Sequence, residues 1–336
     1  RTTSDILTTA NLPATLGADA PYENMGTIQT KGWELAIDYR HTFKNGLHFG
    51  VTASVADDKT EVTKWTYNTK IPSYGATGWW DKSAYKEGMV LGDIWGLQFD
   101  RFLTEDDFNA DGSLKAGLPD QTKVFPAGYQ FAPGDVLYKD LDNNGEIVKQ
   151  TNTNDKGDLS VIGNALPRLQ FGLNLDAAWK GFDISMFFQG VAKRKLWAAG
   201  NQVLPGFTTG EPFYKGAEDY WTPENTDAFY PRPMDYKQSA SGNYSVNDRY
   251  LLNMAYLRLK TFTVGYSLPK VWLSKFKVQG LRVYFTGENL FTIDGVKPAI
   301  DPEIGIRTAS GKSDQRNFGR SYPYQKTVSF GIQLSL

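Results

Sequence analysis

Cysteine is absent from the 336 residues, and histidine occurs only twice, as His41 and His48. The first absence removes disulfides, thiolate metal centres and cysteine nucleophiles. The second leaves no histidine pair to hold a metal and no Ser/His/Asp order to draw. No run approaches the roughly 20 apolar residues that a spanning helix needs. Barrels stay open despite a mean hydropathy of −0.43, because their strands alternate and average out as hydrophilic. An excess of one charge is lacking too: 36 basic and 37 acidic residues leave a net charge of −1. No basic field points to nucleic acid. Glycine-rich phosphate loops are missing, and Glu105-Asp106-Asp107 reads as a solvated charge run rather than a catalytic carboxylate pair. No enzyme is expected.

Aromatics and glycine are plentiful, with 18 Tyr, 20 Phe, 9 Trp and 33 Gly. Many windows alternate with period two, the mark of a strand with unlike faces. Leu169, Phe171, Leu173, Leu175, Ala177 and Trp179 oppose Arg168, Gln170, Gly172, Asn174 and Asp176. Phe182, Ile184, Met186 and Phe188 oppose Asp183, Ser185 and Gln189, with Phe187 out of pattern. The same holds for Trp33–Arg40, Leu47–Val55, Leu281–Phe285 (Tyr284 out of pattern) and Val328–Leu336. Tyr256–Leu268 changes phase near Thr261, which predicts a bulge. Seven strands result, with a further half-strand over Arg1–Ala10.

Alternation has no sign, since a soluble barrel hides its apolar face inward. Connection length supplies one. Tight links at His41–Gly46, Lys180–Gly181 and Pro269–Gly280 alternate with long ones at Ala56–Pro167, Val191–Leu251 and Thr292–Lys326. Short turns at one end and long loops at the other are the outer-membrane pattern. Trp179, Phe182 and Tyr39 flank the tight turns, where an interfacial girdle belongs. The expected fold is therefore an all-β, transmembrane antiparallel β-barrel with its apolar rows outward. Residues 56–167 are expected to form one long extracellular excursion. Seven or eight strands cannot close a large barrel, so the chain is expected to be part of one. Its start, Arg1-Thr2-Thr3-Ser4-Asp5, is neither a signal peptide nor an initiating Met, which predicts processing or truncation.

Several segments then resemble, in order, the C-terminal region of SusC/RagA-type TonB-dependent outer-membrane transporters. They are Asn24–Leu35, Glu87–Gly96 and Gly134-Asp135-Val136 through Gly145, then Trp221-Thr222-Pro223-Glu224-Asn225 with Tyr230-Pro231. Tyr256–Lys260, Gly265–Pro269, Gly287-Glu288-Asn289-Leu290, Asp301-Pro302-Glu303, Tyr322-Pro323 and the closing strand follow. One departure is the last residue, Leu336, where such strands usually end in Phe. The resemblance implies an N-terminal plug and a TonB-contacting segment outside this chain. It also implies a SusD-like lipoprotein over the extracellular mouth, and an oligosaccharide, or next a peptide, as the imported solute. Two other readings of the strand pattern stay open: a soluble secreted β-rich carbohydrate-binding protein and a passive porin.

Two features could bind something. Asp140-Leu141-Asp142-Asn143-Asn144-Gly145-Glu146 sets oxygen ligands at positions 1, 3 and 5, Gly at 6 and a carbonyl at 7 of an EF-hand-like Ca²⁺ loop. Thr151 stands where the usual closing Glu would be, so Asp158 or Asp155 would complete the shell. A solvated Asx turn fits the same residues. The second feature is loop aromatics: Tyr74, Trp79, Trp80 and Tyr85 in one connection, and Phe213, Tyr214, Tyr220, Trp221, Phe229 and Tyr230 in another. Such rings stack on sugars, anchor partner proteins or pack among themselves. Trp79, Trp80, Tyr85 and Trp221 are the candidates for contact with solute or lid.

Overall fold

The computed structural model describes residues 1–9, 21–66, 87–152, 155–198, 200–206, 212–234, 242–274, 278–297, 300–303, 308–309, 312–313 and 322–336. Eight strands form one antiparallel sheet: β1 (Thr2–Thr9), β2 (Tyr22–Thr42), β3 (His48–Trp65), β4 (Arg168–Trp179), β5 (Phe182–Lys193), β6 (Tyr256–Ser267), β7 (Gly280–Asp294) and β8 (Thr327–Ser335). Each pairs only with its neighbours in sequence, so the sheet is an up-and-down meander with β1 and β8 as open edges. The half-strand and all seven alternating windows are present. His41 belongs to β2 rather than to the turn that follows, and β3 runs on to Trp65, well past the last alternating pair.

The apolar rows share one face of the sheet, the outward face in a membrane barrel. Trp33, Leu35, Ile37 and Tyr39 are each more than half exposed, as are Phe182, Val328, Phe330, Ile332 and Leu334. Across the sheet these rows stay in register: Ile184 opposes Val264, which opposes Phe285, which opposes Phe330. From Trp33 to Phe43 about ten residues rise ~3.3 Å each. At a tilt of roughly 40° they span about 25 Å, the height of a barrel's lipid band. The Lys180–Gly181 turn has positive φ at both residues, +48° and +87°, the type I′ geometry that matches strand twist.

The inner face is polar, and its two aromatic exceptions have a local cause. Phe187 lies against Gly172, where a Cβ would meet its ring at 3.5 Å, and Tyr284 covers Gly331 on the neighbouring strand. Each ring shields backbone that glycine leaves bare. Arg282 reaches over Gly265 to make a bidentate pair with Asp183, at 3.0 and 2.5 Å. A Cβ at position 265 would meet the guanidinium at 2.5 Å. Asp38 accepts from Thr52 at 2.7 Å and from Arg40. Arg168 closes on Asp57 at 2.5 and 2.7 Å, next to Leu169, whose φ of +51° breaks the alternation.

Two buried apolar clusters lie in the long connections rather than in the wall. One gathers Ile94, Trp197, Leu204, Tyr230, Tyr244, Tyr250 and Met254. The other holds Leu97, Phe102, Val124, Phe125, Tyr138, Ile147 and Trp221. Between β3 and β4, short ladders join Asp93–Gly96 to Ser160–Asn164 and Phe99–Phe102 to Val136–Tyr138. None of these strands joins the wall sheet.

The sign of the faces makes a measurable difference. Phe330→Lys is expected to cost about 2–4 kcal/mol of barrel stability near the lipid midplane, whereas Ser329→Lys, one residue away on the wet face, costs far less. Urea unfolding of the full-length barrel in vesicles separates them, and equal losses would contradict the assignment.

Candidate functional site

The loop layer over the long-connection end of the wall brings together most of the residues singled out above. Its centre is a joint between two connections. Asp135 has no exposed surface. It accepts from Arg232 Nε at 2.8 Å, Tyr129 Oη at 2.9 Å, Asn243 Nδ2 at 2.9 Å and the Ala132 N–H at 2.9 Å. A buried carboxylate is tolerated only with such a full set of donors. Gly134, at φ +90°, lies under Trp221, and a Cβ there would meet the indole at 2.5 Å. The Gly134-Asp135 segment and the Trp221-to-Tyr230 segment are thus two halves of one contact. Trp221 is only 7% exposed and packs in the second loop cluster, away from any solvent face.

A second cluster stands at the top of β6. Arg258, 4% exposed, pairs with Asp301 at 2.7 Å and with Glu303 at 3.3 Å, and Lys260 pairs with Glu303 at 2.9 Å. The predicted bulge explains how Lys260 gets there. Register shifts between Leu259 and Thr261 against both β5 and β7, which re-aims the extra residue. On β7 the matching irregularity falls at Asn289, with φ +51°, whose side chain donates to the Gln325 carbonyl at 3.2 Å. Tyr324 lies 5.4 Å from the Arg258 guanidinium and 4.7 Å from Lys260 Nζ, within cation–π range. Burial alone would raise the Asp301 carboxyl. The Arg258 guanidinium and the Glu303 and Tyr324 N–H groups outweigh it and hold the group below its ordinary 3.8.

The third element is the Asp140 loop. Carboxylate oxygens of Asp140, Asp142 and Asp158 all lie within 4.8 Å of one another. Asn143 and Gly145 take φ of +58° and +86°, so the chain turns sharply where the sequence placed glycine. The Gly145 N–H reaches Asp140 Oδ2 at 2.8 Å, and this bond draws the Asp140 carboxyl below its ordinary range. Asp142 is displaced upward, by partial desolvation first and then by the charges of Asp158 and Asp140. Asp158 is fully buried and takes the N–H groups of Leu141 and Val148 at 2.7 Å each. Asp140 Oδ1 is buried without a hydrogen-bond partner. Asn144 Oδ1 accepts from the Glu146 N–H, and the Glu146 carboxylate is turned away to Lys123. The Asp155 side chain lies outside the described residues, as do Tyr74, Trp79, Trp80 and Tyr85.

Sequence reading alone missed Asp135, Arg232 and the Arg258 cluster as partners. A trace of the last was present: Arg258 and Lys260 are two apart, and so are the acids Asp301 and Glu303.

Comparison with known proteins follows the same lines. No family model matches the chain. It is 26% identical over 344 residues to TonB-dependent receptor P3 of Formosa agariphila, covering 99% of this chain and 31% of that protein. With TonB-dependent receptor P26 of the same organism it shares 26% over 352 residues, covering 99% and 32%. With TonB-dependent receptor SusC of Bacteroides thetaiotaomicron it shares 22% over 345 residues, covering 100% and 29%. Among solved structures, the RagAB peptide transporter superposes with a TM-score of 0.64 at 20% identity, covering 99% of this chain and 32% of that one. The chain therefore spans about a third of the length of the relatives it matches. The resemblance to SusC/RagA-type TonB-dependent transporters extends over its whole length, and its fold is that of their barrel wall. These relatives are receptors and transporters, not enzymes.

The Arg258 cluster yields a pH test. Since the Asp301 carboxyl is depressed in the folded protein, its contribution is complete above 3.8 and is lost as pH falls below that value. The full-length barrel is expected to lose stability there, and Asp301→Asn to flatten that part of the profile. An unchanged profile in the variant would show that Asp301 carries none of it.

Proposed function

We propose that this chain forms part of the wall and outer loop layer of an outer-membrane importer of the SusC/RagA type. In this reading residues 56–167 and the other long connections face the cell exterior, and a SusD-like lipoprotein closes over them. TonB, acting through a plug outside this chain, supplies the energy, and the imported solute is an oligosaccharide, with a peptide as the alternative. One observation carries the reading: an apolar face kept in register across the strands, opposite a polar face that holds Arg282–Asp183 and the Asp38 network. The relatives named as TonB-dependent receptors support energised import over passive diffusion.

Deleting tonB, or the gene for the lid lipoprotein, is expected to abolish uptake of the solute while heat-modifiable migration shows the barrel still folded. Uptake that persists without TonB would turn the reading to a porin.

The Asp140 loop is proposed to hold Ca²⁺ as a structural ion, with Asp140, Asp142, Asn144, the Glu146 carbonyl and Asp158 as its oxygen donors. A hard cation takes several oxygens at close quarters, and the unpartnered Asp140 Oδ1 beside two further carboxylates supports that role. Millimolar Ca²⁺ is expected to slow limited proteolysis of the full-length protein between residues 140 and 158, and Asp158→Asn to remove the protection. Cleavage at one rate with Ca²⁺ and with chelator would leave a plain turn.

A further inference from the structure

The connection between β5 and β6 holds a pocket that none of the foregoing explains. It encloses about 370 Å³, within the range of small-molecule sites. Its floor is Tyr230 and Tyr244, 4% and 2% exposed. The Tyr230 hydroxyl is tied to the Val203 carbonyl at 3.0 Å, and its backbone N–H to Asp219 O at 2.9 Å. Phe213, Tyr214 and Tyr220 also line it, and they remain 58%, 36% and 40% exposed. Large rings usually leave water when a neighbouring surface is available to them, so three exposed rings around a fixed aromatic floor form a surface for something else.

We infer that this pocket is a subsite for one uncharged pyranose unit of an oligosaccharide, a reading that rests on the import function proposed above and narrows its substrate class. Three features select that ligand. A pyranose has C–H faces that lie on aromatic rings and hydroxyl edges that need polar partners, and the pocket has both kinds of wall. Lys215 and Glu218 also line it, so donor and acceptor are present with no net charge to favour an anion or a cation. Pro205, Pro231 and Pro233 line it as well and have no N–H to give. An extended peptide would find few main-chain donors for its carbonyls there, whereas a sugar ring demands none. The pocket belongs to the same segment that carries Arg232 to Asp135, so its floor is anchored to the loop layer before any solute arrives.

Binding can be read without transport. The detergent-solubilised full-length protein would be screened on immobilised neutral glycans, acidic glycans and a peptide library, with no TonB present. Neutral glycans are expected to give the strongest binding. The Tyr214→Ala/Tyr220→Ala double variant is expected to weaken it about tenfold or more, and Tyr322→Ala, outside the pocket, to leave it unchanged. A folded double variant that binds as the parent does would overturn the subsite, as would a preference for peptides or acidic glycans, or no binding to any of the three sets. Failure of TonB-dependent uptake with neutral-glycan binding intact would instead strike only at the import reading.

Discussion

Lipid offers a backbone no hydrogen-bond partner, and this one constraint shapes the rest of the molecule. Each wall strand is hydrogen-bonded to the strands beside it in sequence, over most of its length nearer the short turns. Continuous pairing fixes the pleat, and the pleat fixes which side chains look out. Where such a wall turns its apolar row to acyl chains, the opposite row has only water or protein to meet, and here that row is built from glycine, serine, threonine and paired charges. The hydrophobic core of ordinary folding is displaced from the sheet and reappears among the long connections. The chain thus carries two kinds of apolar surface, one left open along a face of the sheet and one buried among its own loops.

The irregularities of β6 and β7 fall in the halves of those strands nearer the long connections. The Lys260 bulge and the Asn289 irregularity stand at one level of adjacent strands. Lower down, the same displacement would swing a charged stem into lipid. At the upper end it delivers Lys260 to Glu303 alongside Arg258. A buried cation with two acids is weak evidence of added stability, since desolvation opposes the attraction. Its firmer effect is on geometry, because the pairs to Arg258 and Lys260 fix where Asp301 and Glu303 sit, and Tyr324 beside them.

Much of the wall was legible in the sequence because period two is a local property. Phe171 and Phe330 declare their face through their immediate neighbours, and connection length then gave the sign. The bulge near Thr261 was legible as well, as a phase change. The loop layer was not, since its contacts join residues far apart: Gly134 to Trp221, Asp135 to Asn243, Arg258 to Asp301. Local composition marks such stretches only as rich in glycine, aspartate and aromatics. Trp221 shows the difference. As a tryptophan in a polar loop it read as a ligand platform, yet only the glycine under its ring reveals that the protein itself uses that surface. The inward aromatics were visible as exceptions, while their reason, a bare glycine one strand away, required the register.

The joint at Gly134 and Asp135 has a mechanical consequence. It fastens the β3–β4 connection to the β5–β6 connection through a flat ring on one side and a fork of hydrogen bonds on the other. Neither arm can swing far while both hold. A load placed on one connection is therefore shared with its neighbour through this joint.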